Sequence, residues 1–158
     1  MYTITVSEEI KEKWPRYRGA AVYATVTNSS YDEALWEEIA HFTEHLRATE
    51  TTDSIKHQLV ITATRDAYRA CGKDPSRYRP SAEALRRRLL RGLELYQIDT
   101  LVDLINLVSL RTGYSIGGFD ADKIVGTDLC LGIGNHDEPF EGIGRGPLNI
   151  EYMPVIRD

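Results

Sequence analysis

Cysteine is scarce in this 158-residue chain. Cys71 and Cys130 are the only two, too few for a disulfide framework or for a zinc site built on cysteine. Long apolar runs are missing as well, and nothing approaches the roughly 20 apolar residues a membrane helix needs. Met1 opens straight into the alternating Tyr2-Thr3-Ile4-Thr5-Val6, with no basic stretch followed by an apolar one, so no secretory signal is expected. Both cysteines are then expected to be buried thiols in a reducing compartment, which makes the expected location cytoplasmic. There is no internal repeat, no low-complexity tract and no linker long enough to separate domains, so residues 1–158 are expected to form a single domain. An overall excess of positive charge is also lacking. A net charge of -5 excludes a protein coated in basic residues.

What is present reads as an ordinary globular chain, 42% apolar and 27% charged. The charge is unevenly spread. Between Arg65 and Arg91 nine Lys and Arg residues face only Asp66, Asp74 and Glu83, so that stretch carries +6 and the remainder -11. Screening confines each charge to roughly 8–10 Å, so a local basic stripe on an acidic body can still meet phosphates. The same arginines also suit a solvated helix face, and charge alone leaves both readings open.

Residues 1–6 and Ala20 to Thr27 alternate as strands do. Asn28-Ser29-Ser30 offers caps for a helix with Asp32 and Glu33 in its first turn. Its stripe is Leu35, Ile39, Phe42 and Leu46. A second helix is expected from Asp53 or Ser54 through Ile55, Leu59 and Tyr68 to Cys71, stopped by Gly72. A third runs from a Ser81 cap to Arg91, with Leu85 and Leu89 inward and Arg86, Arg87 and Arg88 fanned over the remaining arc. A fourth spans Thr100 to Thr112 and closes at Gly113. Short alternating runs follow at Ile116–Phe119, Thr127–Ile133 and Leu148–Val155. A helical middle with a strand-rich C-terminal half predicts an α+β architecture, not a doubly wound repeat.

Three constellations carry chemistry. His41-Phe42-Thr43-Glu44-His45 spells H-x-x-E-H, an inverted zinc-protease pattern. Its two imidazoles, however, fall at the edge of the exposed face set by the apolar stripe, a poor start for a cleft. Gly142-Ile143-Gly144-Arg145-Gly146 does not open a helix and reads as a turn between strands, not a phosphate cradle. Asp103 and Asn106, at i and i+3 beside an apolar stripe, face one neighbourhood. Polar groups at a core border need partners. Stitching of the helix end is the bland reading, and a ligand contact the functional one.

At these residues a family resemblance enters. Leu101-Val102-Asp103-Leu104-Ile105-Asn106-Leu107-Val108, then Gly113, then Phe119-Asp120 resembles, without gaps, the pattern V-D-x-T-N-Y-V…G-x-P-x-H-A-F-D. That pattern marks the B3/B4 tRNA-binding and editing domain of the phenylalanyl-tRNA synthetase beta chain. Upstream, Gly72-Lys73-Asp74-Pro75-Ser76-Arg77-Tyr78-Arg79-Pro80-Ser81-Ala82-Glu83-Ala84-Leu85 resembles freestanding B3/B4 proteins, whose G-K-D-P-x-R-Y-R-P-S-x-E-A-L leads into the same helix. The resemblance covers about residues 55–158. It implies a layered β/β/α domain with an amino-acid pocket, which in the synthetase hydrolyses tyrosine mistakenly attached to the phenylalanine tRNA.

By that resemblance Asn106 lines the pocket and Asp120 supports it, with Asp103, Gly117 and Gly118 in the same substrate pocket. The partners it implies are tRNA or aminoacyl-tRNA, or a free amino acid, with no membrane. Charge then suggests that Arg77, Arg79, Arg86, Arg87, Arg88 and Arg91 approach the RNA backbone. Hydrolysis of such an ester needs mainly a positioned water and an oxyanion partner, so no cofactor and no metal is expected. No catalytic residue is assigned. The family's threonine before the asparagine is Ile105 here, and its histidine is Gly117, which leaves room for a bulkier ligand. The chain stops at Val155-Ile156-Arg157-Asp158, where the synthetase pattern continues into a Gly-rich segment, so a domain cut short is expected. The chain lacks the ATP-binding core of a whole synthetase. Two alternatives stand beside this reading: a non-catalytic module for an amino acid or other small molecule and, remotely, a zinc hydrolase at His41, Glu44 and His45.

Overall fold

The structure, a computed structural model, describes residues 1–142 and 146–158. The chain divides into two compact units, one formed by Met1–Ala20, Asp66–Tyr78 and Phe119–Asp158, the other by Ala21–Arg65 and Arg79–Gly118.

In the first unit, β1 (Thr3–Val6) leads into the short α1 (Glu8–Lys13), whose first turn is capped by the Ser7 hydroxyl accepting from the Ile10 N–H. β2 (Asp128–Ile133) is the central strand of a three-stranded sheet. It pairs in parallel with β1, Thr3 opposite Asp128, and antiparallel with β5 (Pro154–Arg157), Ile133 opposite Pro154. A parallel pair cannot be joined by a hairpin, and here residues 7–127 lie between its two strands. Ile10, Cys71, Leu131 and Ile133 form the core beneath, with Val6 and Tyr17 against it. The hairpin strands β3 (Glu141–Gly142) and β4 (Gly146–Pro147) pair separately. The turn expected at Gly142–Gly146 has its three middle residues, 143–145, outside the described residues.

The second unit is helical. α2 (Glu33–Thr49), α4 (Ser81–Leu90) and α5 (Thr100–Thr112) close around Ile39, Leu46, Leu89, Leu95, Leu107 and Leu110. Leu35, Trp36, Phe42, Leu85 and Leu90 pack against that cluster. Each fully buried Leu or Ile stabilises by about 1.5–3 kcal/mol, which explains why the predicted stripe of α2 is the face turned inward. A smaller cluster joins Ile55, Ile61 and Ala82. α3 (Leu59–Cys71) begins in this unit and ends in the other.

The α+β class holds: among the described residues five α-helices accompany a mixed sheet, and no helix is long and apolar enough to cross a membrane. Several local expectations are corrected. Residues 20–27 are exposed and form no strand. Alternation supplies two faces, but a strand also needs a neighbour for its backbone groups, and no described strand pairs with this one. Residues 116–119 likewise form no strand, and within 148–155 regular pairing begins only at Pro154.

The cap of α2 is Asp32, accepting from the Leu35 N–H at 2.8 Å, and not the Asn28–Ser30 run. The helix expected from residue 53 or 54 is split into a 3₁₀ turn at Ser54–His57 and α3, separated by the extended Gln58. Pro80 takes the cap position of α4, with Ser81 already helical, and the helix ends at Leu90. Cys71 is buried as expected, while Cys130 is only half-buried, and both thiols are free.

Candidate functional site

α5 carries the densest set of expected site residues, and its position is fixed at both ends. At the start, the Asp99 carboxylate accepts from the Val102 N–H at 2.8 Å. The Asn28 side-chain oxygen adds a second cap, accepting from the Leu101 N–H at 3.0 Å and the Thr100 hydroxyl at 2.8 Å. At the end, Gly113 adopts φ +76, a left-handed conformation that suits a residue without Cβ. Two of the N–H groups orphaned at the start of the helix are thereby met.

Between these ends the two polar residues differ in their commitments. Asp103 is 1% exposed and fully engaged: one oxygen accepts from the Trp36 indole N–H at 2.9 Å, the other from the Ile98 N–H at 3.2 Å. It stitches the helix to α2 and to the preceding loop. Asn106, about one turn later, is half-buried, and its side-chain amide makes no hydrogen bond among the described residues. Its neighbour Ile105 turns toward the segment after the helix. A Cβ on Gly118 would lie 3.2 Å from the Ile105 Cδ1, so a side chain there would push the isoleucine tip aside by a few tenths of an ångström. The Ser109 hydroxyl donates to the Tyr114 carbonyl at 2.6 Å and ties down the same return. Gly117 and Gly118 are exposed beside this flank. Asp120 belongs to the other unit, where its carboxylate accepts from the Asp122 N–H and caps the 3₁₀ turn Ala121–Lys123.

The six arginines expected at an RNA surface fall into three groups. Arg77, Arg79 and Arg91 are exposed. Arg87 and Arg88 are half-buried and engaged, Arg87 with a Glu83 carboxylate oxygen at 2.7 Å, Arg88 with the Glu94 carbonyl and stacked on the Tyr96 ring at 3.9 Å. Arg86 corrects the expected outward fan. It is 6% exposed, donates to Glu50 at 2.8 Å and to the Leu110 carbonyl, and lies over the Phe42 ring. These partners offset part of its lost hydration, while the Arg86 Nε and the second Glu50 carboxylate oxygen are buried with no hydrogen-bond partner among the described residues.

Much of the Gly72–Leu85 motif proves to be framework. Glu83 is fully buried, bonded by Arg65 at 2.8 Å as well as by Arg87. Its spacing of four from Arg87 was a legible signal; its bond to Arg65 was not. Lys73 is buried, donating to the Glu151 carbonyl and to the Asn149 side chain at 3.4 Å, its ammonium 3.9 Å from the Tyr78 ring centre. Burial pushes its pKa down, with Glu151 opposing that shift.

His41, Glu44 and His45 lie exposed on α2, and among the described residues no group of three or more His, Cys, Asp or Glu is placed to hold a metal ion. His57 is exposed, near Asp53. His136 is held by Glu151 at 2.9 Å and Asp137 at 3.2 Å, which together raise its pKa.

Fold and flank together define an α+β domain with one uncommitted amide on a well-anchored helix. The model of the B3/4 domain family matches residues 63–158, from within α3 through β5, and the chain belongs to that family. Neither the curated proteins nor the solved structures hold a match to the chain. In synthetases, domains of this family are concerned with tRNA binding and editing.

Proposed function

We propose that this chain is a tRNA-related binding domain that receives the aminoacyl end of a charged tRNA on the Asn106 flank of α5. The family match over residues 63–158 carries the reading. The uncommitted Asn106 amide supports it, since its NH2 donors and carbonyl acceptor suit the polar groups of an amino acid better than a bare hydrocarbon. The reading extends to the synthetase beta-chain type of editing domain. The chemistry such a site would serve is hydrolysis of the ester joining a wrong amino acid to its tRNA, in the cytoplasm where charging occurs. Asn106 and the open backbone at Gly117 and Gly118 form the pocket wall, while Asp103 acts through the helix it holds. Arg77, Arg79 and Arg91 supply the exposed cations for phosphate.

The test is deacylation and binding of tyrosine-charged and other mischarged tRNAs. Ester hydrolysis above the spontaneous rate establishes trans-editing. Retained tRNA binding without hydrolysis leaves a binding domain, and binding of the free amino acid without tRNA leaves a small-molecule module. Asn106→Ala is expected to weaken aminoacyl binding about 5- to 10-fold, the scale of one lost hydrogen bond. An unfolded variant whose folded fraction binds normally would make Asn106 structural.

A further inference from the structure

The loop from α4 to α5 presents an aromatic ring that the fold has no evident need to expose. Tyr96 is 63% exposed, and its hydroxyl makes no hydrogen bond among the described residues. Single exposed apolar groups are ordinary on a protein surface. This one differs because it is held in place. Leu95, immediately before it, is buried among Ile39, Leu46, Leu89, Leu107 and Leu110. The Ile98 N–H, two residues later, donates to the buried Asp103 carboxylate at 3.2 Å. Arg88 grips the Glu94 carbonyl and lays its guanidinium 3.9 Å from the Tyr96 ring centre. The ring is thus backed by a cation while most of its surface stays in solvent. Leu93 and Ile98 are exposed on either side, and Gln97 and Arg91 add exposed polar groups. The loop's two acidic residues are Glu94 and Asp99, and the Asp99 carboxylate is taken up by the Val102 N–H.

We propose that Tyr96 is a stacking platform for an unpaired base of single-stranded RNA, with Arg88 fixing the ring and Arg91 meeting the adjoining phosphates. The proposal rests on the tRNA-binding reading above and adds to it a second contact, on the loop from α4 to α5. Base stacking on an aromatic ring tolerates any base because every base has a π face. A ring already immobilised from behind loses little further freedom on binding. The cation behind it also places positive potential where a phosphate backbone would run.

The experiment measures fluorescence anisotropy of labelled single-stranded oligoribonucleotides, a blunt RNA duplex and an uncharged tRNA, each against the unaltered chain and its variants. Tyr96→Ala is expected to weaken single-strand binding about 5- to 150-fold. Duplex binding should hold, and Tyr96→Phe should stay close to the unaltered chain, showing that the ring and not the hydroxyl is used. Arg88→Ala is expected to weaken single-strand binding too, by releasing the ring. Circular dichroism melts of each variant confirm that the folded form is being compared. Unchanged single-strand affinity in Tyr96→Ala, or an equal loss for duplex and single strand, overturns the platform while leaving the tRNA reading intact. Absence of binding to every RNA by the unaltered chain overturns both.

Discussion

Glu83 is the residue on which most charge converges. A carboxylate with no exposure survives inside a protein because two guanidinium groups meet it, Arg65 at 2.8 Å and Arg87 at 2.7 Å. Glu83→Ala is expected to destabilise the fold by about 3–5 kcal/mol, the usual result of removing one member of a buried ion pair. Urea denaturation measures this, and a loss below about 1 kcal/mol would mean the arginines find water instead. His136 is the opposite case, an exposed group between Glu151 and Asp137. Its hydrogen bond to Glu151, then the charge of Asp137, raise its pKa above the ordinary 6.5. The stability it contributes is therefore full below pH 6.5 and fades as pH rises through the higher folded value. NMR titration of the imidazole should show a midpoint above 6.5 that falls toward it in Glu151→Gln. Residue-scale roles were unevenly legible beforehand. That Asp103 and Asn106 were special could be read from their place beside an apolar stripe. That Asp103 is spent on Trp36 while Asn106 is not depends on a contact spanning 67 residues.

At the scale of elements, α5 was readable to the residue, because an apolar period and a closing glycine are both local signals. Its second cap was not. Asn28 looks like the start of α2 in sequence, yet it serves α5 some 72 residues away. The strand expected at residues 20–27 failed for a related reason: alternation is local, whereas pairing is not. β2 shows the same dependence in a strand that did form, taking one neighbour from each end of the chain. The end of β2 also rests on close backbone approach. A Cβ at Gly134 would lie 1.9 Å from the Ile150 carbonyl oxygen, beside the bonds from Gly134 N–H to Met153 and from Tyr152 N–H to Gly134, each 2.8 Å. Gly134→Ala is expected to cost about 3 kcal/mol or more, since the obstacle is backbone and cannot rotate aside. A thermal melt within a few degrees of the unaltered chain would show that the 150–153 turn yields instead.

Across the whole molecule, the +6 stretch that stood out in sequence resolves into buried and exposed cations, with Arg87 and Arg88 half-buried between them. Arg65, Lys73 and Arg86 are buried, whereas Arg69, Arg77, Arg79 and Arg91 are exposed. Formal charge along the chain therefore overstates the positive surface, and pattern reading cannot separate the two without the fold. One of the buried cations gives the molecule a chemical clock. Among five lysines, Lys11, Lys13, Lys56, Lys73 and Lys123, Lys73 keeps its ammonium against Glu151, Asn149 and the Tyr78 ring. An amine-acylating reagent, followed by peptide mass spectrometry, is expected to modify Lys73 last, at a rate set by how often the Asn149–Glu151 segment swings away. Acylation of that one lysine as fast as Lys11 would mean the segment is open most of the time. If it is slow, its rate under rising urea tracks the opening of the C-terminal segment in the intact chain, with no label or substitution introduced.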